Sequence, residues 1–126
     1  MTAREALDSF RDAYPTTLGE DVLVSWLNEL EGAVYEELIL THEGERSPFV
    51  PLAPGGLSRK LYLPEPYSKV YLDYLRMKSD IAHSDTRRYD SSSAYFAASW
   101  SDAANHYNRT HMPLGAGGLK TEKAGN

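Results

Sequence analysis

Seven prolines divide this 126-residue chain before any other feature does. Pro15 stands near the start, Pro48, Pro51, Pro54, Pro64 and Pro66 crowd the middle, and Pro113 stands near the end. Proline has no backbone N–H and its ring clashes with the preceding turn, so a helix interior excludes it. Long helices must therefore lie between these points.

Hydrophobic spacing fills the proline-free stretches with helices. Thr2 is placed to cap a helix from Ala3 to about Ala13, with Ala6, Leu7, Phe10 and Ala13 on one stripe. Thr17-Leu18-Gly19-Glu20 reads as a capping box for a second helix reaching Leu40 or Thr41. Its apolar positions are Leu23, Trp26 or Leu27, Leu30, Val34 and Leu38, and its other face carries Glu29, Glu31, Glu36 and Glu37. Pro64-Glu65-Pro66-Tyr67 opens a third helix, with Tyr67, Val70, Tyr71, Tyr74, Leu75, Lys78 and Ile81 or Ala82 in helical period. It ends near His83. Ser84 or Asp85 caps a fourth helix from about Thr86 to Thr110, striped by Tyr89, Ser92 or Ser93, Phe96, Trp100, Ala103 and Tyr107. Tyr67, Tyr71 and Tyr74 share the apolar face, so they read as core with hydroxyls reaching for partners.

Between the second and third helices the period stops. Phe49-Val50 and Lys60-Leu61-Tyr62-Leu63 flank the Pro54-Gly55-Gly56 turn and could pair as a short hairpin. The expected fold is an all-α bundle of about four helices over 1–113, with a hairpin-like or extended excursion and a flexible tail over 114–126.

Charge is unevenly spread. Residues 1–45 hold 11 acids and 2 bases, and the remainder 7 acids and 11 bases, which together give −5. Such a split suits either solvated faces or a head-to-tail contact between copies. There is no cysteine, which removes disulfides, thiolate zinc sites and cysteine nucleophiles. The charged first residues do not read as a signal peptide, and no run reads as a membrane span, so the expectation is a soluble intracellular protein.

Several tempting groups fail a spacing test. His106 and His111 are five apart and point apart on a helix, so one metal ion does not suit both. Asp80, His83 and Asp85 read as helix-end residues. Nothing orients His42, Glu43 and Glu45. "APGGLSRK" lacks the phosphate-loop pattern. No catalytic residue, cofactor or metal is expected.

Three stretches do form a pattern: PYSKVYLDYLRMKSD, RRYDSSSAYFAASW and NHYNRTHMP. Pro64, Pro66 and Tyr67, then Lys78 and Asp80, then Arg88, Tyr89 and Ser92, then Tyr107 to Pro113 give it its order, and Trp26 to Gly32 fits as well. Over roughly residues 20–113 the chain resembles the small helical head–tail connector, or head-completion adaptor, proteins of tailed phages and prophages. The junction 83–87 departs from that pattern, which leaves the geometry between the third and fourth helices open.

The resemblance implies a structural role. Such proteins form a ring beneath the portal protein at the head–tail junction of the virion, after assembly in the bacterial cytoplasm. They extend the channel through which DNA passes as cargo, and dock the next neck or tail protein. Membranes play no part. Carried onto this chain, it implies a subunit interface through Glu29, Glu36 and Glu37 against Arg76, Arg87 and Arg88. It implies a portal-docking tail with Met112, Pro113, Leu114, Leu119 and Lys120, and a neck or inter-subunit loop with Phe49, Val50, Leu52, Leu57 and Arg59. The alternative is a prophage-encoded regulatory or interaction module without a virion role.

Overall fold

Four α-helices carry the fold: α1 Ala3–Ala13, α2 Glu20–Val34, α3 Lys69–Ala82 and α4 Thr86–Thr110. The structure, a computed structural model, describes residues 1–44 and 47–114. Among the described residues there is no strand, only isolated bridges joining Thr2 to Lys60 and His42 to Pro113. The protein is all-α.

Local chemistry sets most helix ends. The Thr2 hydroxyl accepts from the Glu5 N–H at 3.1 Å, and the Glu5 carboxylate accepts from the Thr2 N–H at 2.8 Å, a complete capping box. The bond from the Thr2 backbone holds the Glu5 carboxyl below its usual range. Asp85 caps α4 by accepting from the Arg88 N–H at 3.0 Å. The expected box at Thr17–Glu20 does not form. Gly19 occupies the cap position, and the Glu20 carboxylate instead accepts two bonds from Arg4 at 2.7 and 3.0 Å. A bidentate guanidinium pair outcompetes a single backbone donor for that carboxylate.

Two further boundaries shift. Helix α2 continues, but residues Tyr35–Ile39 widen into a π-helical turn, closed by the Leu40 N–H on the Tyr35 carbonyl at 2.9 Å. Helix α3 begins at Lys69, later than expected. Glu65 precedes Pro66 and is steered away from helical geometry, so residues 64–68 form a turn, with the Tyr67 N–H on the Pro64 carbonyl at 2.8 Å.

The core is aliphatic where α1, α2 and α3 meet. Ala3, Ala6, Leu7 and Phe10 pack against Leu23, Leu27, Leu30 and Val34, and against Val70, Tyr71 and Leu75. Tyr71 is wholly buried, while Tyr67 and Tyr74 sit half-buried at its edge. Two expectations of exposure are overturned. Glu31, expected on the solvent face, is fully buried; Ile81 and Ala82, the alternatives expected on the apolar stripe, are both exposed, and Ser79 and Asp80 are buried in their place. Ala13 also faces solvent rather than the core.

The proline-rich stretch is not a hairpin. Its backbone bonds go to the helices instead, because Pro48 and Pro51 remove the donors that a ladder beside Val50 would need. The Ala3 and Arg4 N–H groups, unpaired within α1, donate to the carbonyls of Arg59 and Leu57 at 3.0 and 2.8 Å. The Asn28 side chain on α2 both donates to and accepts from the Leu52 backbone, at 3.2 and 2.7 Å. The Tyr62 N–H donates to buried Glu31 at 3.0 Å. Leu52, Leu57, Leu61 and Leu63 thereby become core.

Candidate functional site

Helix α4 meets the rest of the molecule differently. Its main helix partner is α3, and its buried side chains are Ser92, Ser99 and Ala103. The matching positions on α3 are Asp73 and Asp80. Ser92 donates to Asp80 Oδ2 at 2.7 Å, and Ser99 donates to Asp73 Oδ2. Both aspartates and both serines are seven residues apart, the repeat that keeps one seam of a helix facing its neighbour. Antiparallel packing then brings the two pairs into register. Tyr14, which ends α1, donates its hydroxyl to the other oxygen of Asp80, and Lys69 reaches Asp73 at 2.6 Å. Burial and the bond to Asp80 raise the Tyr14 hydroxyl above its usual range.

Above this seam lies a cleft of about 470 Å³, open between the last turn of α1 and the α3–α4 pair. Phe10, Ala13, Tyr14 and Leu72 give it an apolar wall; Asp73, Arg76 and Arg88 give it charge. Lys69 and Ser99 both bond Oδ2 of that carboxylate. The guanidiniums are not matched in the same way. Arg76 lies 5.7 Å above the Tyr95 ring, and its buried Nε has no hydrogen-bond partner. Arg88 is exposed, bonds the Tyr14 hydroxyl, and approaches only Asp85, at 3.5 Å. Arg87 is exposed beside it.

The opposite end of α4 meets the end of α2. His42 is buried there, bonded to the Leu38 carbonyl at 2.9 Å and to Asn108 at 2.6 Å, with Tyr107 edge-on to its ring. The Glu43 N–H reaches the Met112 carbonyl, and the Leu114 N–H the Thr41 carbonyl, at 2.9 and 2.7 Å. On this end the π-helical turn presents exposed Glu36 and Glu37, and Leu40, Met112 and Leu114 are exposed nearby.

The sequence-predicted residues scatter accordingly. Glu36, Glu37, Arg87 and Arg88 are exposed. Glu29 is held inside its own chain, accepting from the Tyr74 hydroxyl at 2.9 Å and pairing with Lys78 at 3.2 Å. Burial and that bond push the Tyr74 hydroxyl up to about 12. In the loop, Val50 is exposed and Phe49 packs on Tyr35 and Tyr62. Arg59 is half-buried and donates to the Val50 carbonyl at 2.5 Å. Leu52 and Leu57 are 6% and 5% exposed, too deep to meet a partner, which corrects their place in a docking loop. Met112, Pro113 and Leu114 are exposed, with Pro113 bridged to His42. Leu119 and Lys120, with the rest of 115–126, lie outside the described residues.

His106 and His111 serve as packing groups. His106 stacks on Tyr67 at 4.3 Å and His111 on Tyr107 at 4.1 Å. Among the described residues no three His, Asp or Glu side chains are placed to hold a metal ion, and no helix is long and apolar enough to cross a membrane. No family model, curated protein or solved structure matches the chain.

Proposed function

We propose that this protein is a structural component of a phage neck, a head–tail connector that joins copies of itself into a ring between the portal and the tail. The ring extends the channel through which DNA passes and offers its outer end to the next neck or tail protein.

One observation carries the reading: the acidic turn and the arginine-bearing end lie at opposite ends of the bundle. Ser92, level with Tyr14, and Asn108, level with His42, are about 24 Å apart along α4 at 1.5 Å per residue. Glu36 and Glu37 therefore have no way to reach Arg87 or Arg88 of their own chain, and a neighbouring copy offers the match. Two different, complementary surfaces are what a closed ring of identical subunits requires. The resemblance of its motif order to phage connectors supports the same reading. Exposed Met112 and Leu114, at the end from which the chain continues, suit a docking segment for the portal.

Quantitative mass spectrometry of purified, DNA-filled particles tests the role. The expected result is a copy number comparable with the portal protein and far below the capsid protein. Absence from clean particles would overturn it and leave the prophage regulator as the better reading.

A further inference from the structure

We infer that the cleft beside α1 is a socket for the π-helical turn of a second copy. In this contact Glu36 and Glu37 meet Arg76 and Arg88, and Leu40 lies on the Phe10–Leu72 wall. The inference rests on the ring reading and gives it an interface at the level of side chains.

Three features of the cleft fit this occupant. Its one lining carboxylate, Asp73, already holds Lys69 and Ser99 on Oδ2. Its cations have room for another acceptor: Arg88 is exposed and only 3.5 Å from Asp85, and Arg76, whose Nε is buried, can meet an incoming carboxylate through its terminal nitrogens. A guanidinium fixed over an aromatic ring and lacking an acceptor favours a carboxylate, which it can grip through two parallel bonds. The apolar wall next to the arginines calls for an aliphatic group beside that carboxylate.

The π-helical turn supplies this combination. Glu36, Glu37 and Leu40 are all exposed within five residues, and Leu40 lies about one turn beyond Glu36. The turn itself is firmly held. The Thr41 hydroxyl donates to the Glu37 carbonyl at 2.6 Å, and His42 caps the Leu38 carbonyl, so little order need be gained on docking. Glu29, also acidic, is excluded because its own Lys78 and Tyr74 already hold it. The contact is heterologous, socket on one end and plug on the other, as a ring demands.

The chain contains no cysteine, so introduced cysteines report single sites. Ala13→Cys lies on the socket rim and Thr41→Cys beside the plug, both at exposed positions. The two single-cysteine proteins are combined, in concentrated purified form and in DNA-filled particles, and treated with a bismaleimide too short to span one subunit. The expected product is a 13–41 cross-linked pair, with neither variant linking to itself. Adding E36K and E37K to the Thr41→Cys protein lowers the yield at least about tenfold, the scale of close charge pairs across interfaces. Combining it with an Ala13→Cys partner carrying R76E and R88E restores the yield. E36K and E37K change only exposed side chains, and circular dichroism confirms that each variant folds.

A chain present in particles but giving no 13–41 product in either sample overturns the socket and leaves the ring. So does a product indifferent to E36K and E37K. A 13–41 product from purified protein, with the chain missing from particles, keeps the socket and overturns the neck role.

Discussion

The bundle is held together in two ways. Helices α1, α2 and α3 share a close-packed aliphatic interior, in which Leu7, Leu23, Leu27 and Leu75 are fully buried. Helix α4 is fastened to α3 by hydroxyls on carboxylates, flanked by half-buried Tyr74, Phe96 and Trp100 with neighbouring centroids 5.2 and 6.2 Å apart. Apolar burial is strong but tolerant of direction, whereas a buried hydrogen bond is modest when made and expensive when broken. The aliphatic side therefore supplies stability, and the serine–aspartate seam fixes where α4 sits. Because α4 links the arginine end to the acidic end, its position sets the relation between the two proposed contact surfaces.

The largest test of this contrast is Leu75→Ala. It opens a cavity in the shared interior and should cost about 2–5 kcal/mol, read from urea unfolding. A loss no greater than that of an exposed substitution would show that the interior is not where stability resides. Ser92→Ala comes next. It strips one hydroxyl from buried Asp80 and should cost about 1–3 kcal/mol, with hydrogen exchange rising along α4 more than along α2. Uniform exchange through all four helices would erase the distinction between seam and interior.

Thr2→Ala removes half of the capping box on the aliphatic side and should cost about 1 kcal/mol by thermal unfolding. The change should leave α4 protection unaltered.

Glu31→Gln gives the smallest change at one pH and the sharpest across several. Glu31 is a polar exception inside the aliphatic half. Burial raises its carboxyl above the usual 4.5, against the bonds from Tyr71 and Tyr62 and the attraction of Arg59. A group whose pKa is higher in the folded protein contributes stability that is complete below its unfolded value and is lost as pH rises through the folded one. Wild type should therefore weaken relative to Glu31→Gln as pH climbs from about 4.5 to neutrality, seen as a widening gap between their melting temperatures. A constant gap would mean that Glu31 is not the titrating group.

Much of the fold was legible because its signals are local. Thr2 with Glu5, Pro15, Asp85 and Pro113 mark helix ends within a few residues of sequence, and α1 and α4 begin and end where these predict. Non-local partners escaped. Glu31 looks like its exposed neighbours until residues 61–63 fold over it. Glu20 left its expected cap for Arg4, sixteen residues away. The start of α3 was misplaced because Pro66 suits a first helical turn as readily as a loop, and the restriction it places on Glu65 decided the matter. The seam between α3 and α4 had a signal that went unread. Asp73 with Asp80, and Ser92 with Ser99, repeat at seven residues on consecutive helices, but an apolar stripe was sought, and of these four only Ser92, as an alternative to Ser93, was placed on it. Of the site, the exposed charges of α2 and α4 could be read from composition. The cleft could not, since its walls come from three helices.

The bonding of α1 to the middle of the chain carries a consequence for synthesis. The first turn of α1 is completed by carbonyls of residues 57 and 59, and Leu61 is tied to Met1 at 3.0 Å. During synthesis α1 therefore keeps open donors until residues 57–61 have followed it, and its apolar face is complete only when Val70, Tyr71 and Leu75 have as well.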